Sequence, residues 1–234
     1  MSAEKIKTEE EKPHYHGHRQ RLKERLLESK KGTLPDYELL EIILFSASPR
    51  KDMKPLAKEL INKFGSYANV IAAPIEDLKK INGVNISVIA MLKAIQESAE
   101  RLIKEEVCSK PILQSWKALI DYSRATMGHI KKEQFRILYL DKKNKVILDE
   151  LQEAGTVDQT PVYPREIVKQ ALNVEASSVI MVHNHPSGDT KPSRADIDVT
   201  KKVIAALKAI NVTLHDHVII SRSSHYSFKS NGII

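Results

Sequence analysis

Two histidines, His183 and His185, close the apolar run SSVIMVHNH, and Asp196 follows after ten intervening residues. Side chains alternate along an extended strand, so residues i and i+2 share a face and both imidazoles can address one ion. HNHPSG is where the strand emerges into a loop, the usual place for functional groups in an α/β sheet. Ser193, three residues before Asp196, forms a capping-box pattern that puts Asp196 in the first turn of the next helix. Three protein ligands with a fourth position left for water is the arrangement of a catalytic zinc site rather than a structural one. The capping box needs no metal to explain it, so Ser193 can serve the helix, the site or both.

Other metal chemistries fit less well. No HExxH helix occurs, and the single cysteine, Cys108, rules out multi-cysteine zinc sites and the P-C-x-x-C of nucleobase deaminases. His14, His16 and His18 lie in or beside a charged N-terminal segment and read as solvated or helix-entry residues. His215 and His217 in LHDHVII are again spaced i and i+2, but no third ligand is near in sequence, so they read as packing groups or as supports behind the ligands.

The elements that must position these residues follow from periodicity. HRQRLKERLLESK reads as a short amphipathic helix ended by Gly32, DYELLEIILF as a helix with Asp36 as its N-cap, and MKPLAKELINKF as a helix stopped by Gly65. After the turn at Gly83 a long helix runs through SVIAMLKAIQESAERLIKEE, with Val88, Leu92, Ile95 and Leu102 on one face. The segment EEVCSKPIL loses this spacing and carries Pro111. The expected division is therefore a tail over 1–16, a helical domain over 17–106, a linker over 107–113 and the metal domain over 114–234. In the last of these SWKALIDYSRATMG is a helix, QFRILYLD and KVILDELQEA are strands joined by the KKN turn, and YPREIVKQALN is a helix with Pro164 near its start. The buried strand SSVIMVHNH, the helix SRADIDVTKKVIAALKAI and the closing strands VTLHDHVIIS and HYSFKS complete it. Strands interleaved with helices predict an α/β layer fold, a mixed sheet flanked by helices, behind a small all-α domain.

Composition sets the setting. With 234 residues and 41% hydrophobic side chains the chain can bury packed cores. No apolar stretch has the roughly 18 residues of a membrane helix, and MSAEKIKTEEEKPHYHGH lacks a signal-peptide core, so a cytoplasmic protein without membrane partners is expected. The net charge of +7 would suit a nucleic-acid partner. Its even spread over both halves gives no concentrated basic module.

His-x-His-Pro, six residues, then Ser-x-x-Asp resembles the signature of the JAMM (MPN-plus) metalloproteases, here His183, His185, Pro186, Ser193 and Asp196. With VYPREIVKQAL upstream and LHDHVII downstream, the chain resembles the RadC family of that superfamily, proteins long labelled DNA repair factors. GHRQRL, LPDYELLEIILF and ANVIAAPIEDLKKINGVNISVIAMLKAI resemble the family's helical N-terminal domain, whose last part is like a helix-hairpin-helix.

The resemblance implies a JAMM and cytidine-deaminase-like fold and Zn2+ held by His183, His185 and Asp196. It also implies a glutamate as general base and Ser193 as an oxyanion stabiliser. The catalytic glutamate of that architecture stands where the first helix passes into the first strand, the place of Glu133; Glu150 comes one strand later. The implied activity is hydrolysis of a peptide or isopeptide bond in an unknown protein or peptide substrate. A helix-hairpin-helix would bind DNA through the amides of a Gly-x-Gly turn, which here reads Gly83-Val84-Asn85. A DNA-binding, repair-associated protein with a structural zinc is the alternative reading.

Overall fold

A computed structural model describes residues 17–30, 32–49, 51–112, 114–152 and 162–234. The tail 1–16, with His14 and His16, lies outside the described residues. The chain divides into two compact units, Met1–Gln96 and Glu97–Ile234.

The first unit is helical: α1 (His18–Glu28), α2 (Asp36–Ala47), α3 (Lys54–Phe64), α4 (Tyr67–Ala72), α5 (Ile75–Leu78) and the start of α6 (Ile86–Ser109). Leu22, Leu40, Leu44, Leu60, Val70, Leu78, Val88 and Leu92 close its core. Asp36 is the first residue of α2 rather than its N-cap, and its carboxylate accepts the Tyr67 backbone N–H at the start of α4. It thus satisfies a free amide of a different helix. Leu102 is 71% exposed, against the expectation that it continues the stripe of Val88 and Leu92. Past Gln96 the buried positions of α6 shift by one residue, and Ile103 and Val107 pack into the core of the second unit. Ile112 is buried in the same core, so the composition change over 107–113 falls within that unit.

At the hairpin, Gly83 takes φ +84, which a side chain would resist. Asn85 does not share that conformation. Its Oδ1 accepts the Val88 N–H at 2.9 Å and so caps α6. Next to this turn, Lys79 and Lys80 are paired with Glu76 and Asp77.

The second unit is a sheet between helices. It contains α7 (Trp116–Met127), β1 (Phe135–Leu140), β2 (Val146–Gln152), α8 (Pro164–Asn173), β3 (Ser178–Asn184), α9 (Arg194–Lys208), β4 (Thr213–Ile220) and β5 (His225–Ser227). The sheet order is β2-β1-β3-β4-β5, with β3 and β4 parallel and the other neighbours antiparallel. The mixed sheet and the preceding helical unit match the expected fold class.

Alternation divides β3 between two cores. Ile180 and Val182 face α7, with Leu119, Leu138 and Val218. Val179 and Met181 face α8 and α9, with Ile137, Ile167, Val203 and Leu207. His183 continues the second set, and every residue of β3 is buried. The sheet therefore delivers His183 to its own end, beneath the start of α9.

Candidate metal centre

His183 is fully buried on β3, and His185 follows on the same face where the strand ends. Phe135 lies opposite His183 in the antiparallel pair of β1 and β3, and their rings stack with centroids 4.5 Å apart. Continuing that register backwards sets Glu133 opposite His185, and alternation gives Glu133 the face of Phe135. Across the opening, α9 begins with the capping box: Ser193 Oγ accepts the Asp196 N–H at 3.1 Å, and Asp196 Oδ2 accepts the Ser193 N–H at 2.7 Å. The cap that starts the helix also fixes the Asp196 carboxylate toward the histidines.

These four side chains converge. One ligand atom from each of Glu133, His183, His185 and Asp196 lies within 4.8 Å of all the others. His183 Nε2 is 3.0 Å from His185 Nε2, 3.3 Å from Asp196 Oδ1 and 3.7 Å from Glu133 Oε1, and His185 Nε2 is 3.5 Å from Asp196 Oδ2. Glu150 lies elsewhere, accepting hydrogen bonds from Tyr139 and Gln152.

Hydrogen bonds behind the cluster fix which nitrogen of each ring carries a proton. Thr200, one helical turn after Asp196, donates its single hydroxyl proton to the Asp196 carbonyl. Toward His217 Nδ1, 2.7 Å away, the Thr200 oxygen must therefore accept. That leaves His217 Nε2 as an acceptor, and it takes the Nδ1–H of His183 at 2.8 Å. Burial holds His217 well below the ordinary imidazole range, aided by His183, so it is neutral as this chain requires. His185 is set in the same way by its own loop, its Nδ1 lying 2.7 Å from the Asp189 carbonyl. Both Nε2 atoms therefore face each other and the Asp196 carboxylate, as the ring positions open to an ion or a proton.

Converging lone pairs repel unless a cation stands among them. The titration of the groups reflects that demand. A proton on His185 Nε2, hydrogen-bonded to Asp196, raises His185 despite the opposing effect of burial and supplies the positive charge that the converging acceptors demand. Burial pushes Asp196 up, but His183, His185 and Ser193 outweigh it and hold the carboxyl well below the usual range. The spacings also suit an ion. Four ligands about 2.0–2.1 Å from a tetrahedral zinc stand about 3.3 Å apart, and the separations of the His183, His185 and Asp196 atoms, 3.0 to 3.5 Å, bracket that edge. The donor set fits a metal ion.

Sequence reasoning left His217 between packing and support, and the structure places it against His183, whereas His215 is half-buried and outside the cluster. Thr200 was not singled out, although its position four residues after Asp196 puts it on the same helical face. Asn184 was also passed over, since alternation turns it away from the ligands.

Residues 113–233 match the family described as RadC-like JAB domain, and residues 16–89 match the one described as UPF0758 N-terminal. The first match covers the whole sheet and all four converging side chains. Among the described residues no helix is long and apolar enough to cross a membrane.

Proposed function

We propose a function from one premise: the chain belongs to the RadC family, whose JAB domain covers residues 113–233 and has the JAMM-like metallohydrolase fold. The reading is zinc-dependent hydrolysis of a peptide or isopeptide bond, with His183, His185 and Asp196 as the residues that hold the ion. The observation that carries it is the convergence of two imidazoles, one ionised carboxylate and the half-exposed Glu133 on a single point.

A zinc ion bound there supplies a Lewis acid for the scissile carbonyl and brings the pKa of its water down to about 7. Glu133, on the open side of the cluster, takes a proton from the attacking water and returns it to the amine nitrogen as the C–N bond breaks. The products are a carboxylate and an amine, and Glu133 ends as it began. Ser193 spends an oxygen lone pair on the Asp196 N–H, which leaves its O–H to donate to the oxygen that gains charge on the carbonyl. Asp196, His183 and His185 do not exchange protons; they hold position.

The test is to incubate zinc-loaded full-length protein with peptide, isopeptide and DNA substrates. Amide cleavage is expected, falling about 10²–10⁴-fold in Glu133→Gln with zinc retained, while Glu150→Gln stays active. Full activity in Glu133→Gln, or cleavage of phosphodiesters in place of amides, would overturn the reading.

A further inference from the structure

Asn184 stands between the two histidines, and the alternation that presents them to the cluster turns its side chain to the opposite face of the sheet. There it is 1% exposed, a carboxamide on the face that also carries Ile180 and Val182, which requires partners for its N–H and C=O groups. All of them lie in the segment that leads into β1. Nδ2 donates to the Lys132 carbonyl at 3.0 Å and to the Ile130 carbonyl at 3.3 Å, and Oδ1 accepts the Gln134 N–H at 2.9 Å. The Asn184 backbone N–H adds a bond to the Gln134 carbonyl at 3.4 Å. β1 begins only at Phe135, so residues 130–134 lack a regular strand ladder. A carboxamide has the donors and acceptor of a peptide group, and Asn184 supplies the rungs the ladder omits.

The bonds bracket one residue. The carbonyl before Glu133 and the amide after it are both held by Asn184, while the Glu133 side chain reaches to 3.7 Å from His183 Nε2. We propose that Asn184 is a positioning residue that clamps residues 130–134 and thereby sets the Glu133 carboxylate at the cluster. This rests on the role given to Glu133 above, but the clamp has its own readout. A residue placed between two ligands and facing away from them ties the proton acceptor to the ligand strand, so ligands and acceptor keep one frame.

The experiment uses the full-length chain. In the wild type, the Gln134 amide should exchange with solvent as slowly as amides inside β1, since its proton is held by the Asn184 side chain; rapid exchange would show that no clamp forms. In Asn184→Asp, which keeps the shape and the acceptor but turns a carboxylate toward two carbonyls, exchange over 131–134 should rise about 10-fold or more while β3 is unchanged. Asn184→Ala should act in the same direction. Cobalt-loaded protein then reports on Glu133 without turnover. Asn184→Asp should alter the visible ligand-field spectrum as Glu133→Gln does, with no further change when both are combined, and metal stoichiometry should hold. Unchanged exchange, or a spectral change that adds to that of Glu133→Gln, would overturn the proposal. Loosened exchange with a spectrum indifferent to Glu133→Gln would leave the clamp standing and remove the role of Glu133 instead.

Discussion

The sheet carries a buried charged cluster on each face, and the two are built on opposite principles. On the α7 face Asp149, almost fully buried, meets the Arg136 guanidinium at 2.6 Å, the Lys104 ammonium at 3.0 Å and the Tyr122 hydroxyl. Cations meet the anion, and opposite charges are paired within the network. On the α9 face His183, His185 and Asp196 aim ring nitrogens and a carboxylate at a common point. The first cluster pairs its charges as the chain folds, whereas the second presents the donor set of a metal site. Burying charged groups does not by itself mark a functional site; the sign and direction of the groups do.

Breaking each cluster should therefore have different consequences, and the largest effect on folding belongs to the charge-paired one. Asp149→Asn leaves Arg136 buried without its carboxylate and should destabilise the protein by about 3–5 kcal/mol at pH 7 in denaturant titration, without altering metal content. Burial pushes Asp149 up, but Arg136, Tyr122 and Lys104 outweigh it, and its folded value lies below the ordinary 3.8. The stabilisation is thus fully present above about pH 4 and is lost as the pH falls through the lower folded value. The gap between wild type and Asp149→Asn should narrow in that acid range. A constant gap down to pH 2 would mean that the network is held together by packing rather than charge.

On the other face the support of the ligands can be removed without touching them. His217→Phe keeps an aromatic ring on Phe228 but gives the His183 Nδ1–H nothing to bond to, and Thr200→Val removes the hydroxyl that orients His217. Each should weaken zinc about 10–100-fold in competition titrations with a chelator. Unchanged affinity in both would show that the hydrogen-bonded chain does not set the His183 tautomer. The smallest effect is expected at the cap. Ser193→Ala should cost about 1 kcal/mol of stability and retain the metal, because the Asp196 carboxylate still accepts the backbone N–H of residue 193. Loss of zinc in that variant would make the serine side chain part of the metal's support.

Much of this was legible in the sequence because the signals were local. Alternation along SSVIMVHNH, the Ser193–Asp196 capping box and Pro164 at the start of α8 each depend on a few neighbouring residues, and each element stands where its pattern placed it. Glu133 was legible only through the family resemblance, since no local pattern separates it from the lysines before it. The register of β1 against β3 brings it opposite His185. Partnerships of long sequence separation were beyond reach. His217 meets His183 because β4 lies parallel to β3, and Asn184 meets Ile130 and Lys132 across the sheet. Leu102 was misplaced for a similar reason: the face a helix buries depends on which core it enters, and α6 leaves one and enters another.

Whether the α9-face cluster takes up an ion is read by metal analysis of the purified protein. The wild type should carry about one zinc per chain, and the double variant His183→Ala with Asp196→Ala should carry none while remaining folded by circular dichroism. Zinc at wild-type stoichiometry in that double variant would mean that these residues do not hold the ion.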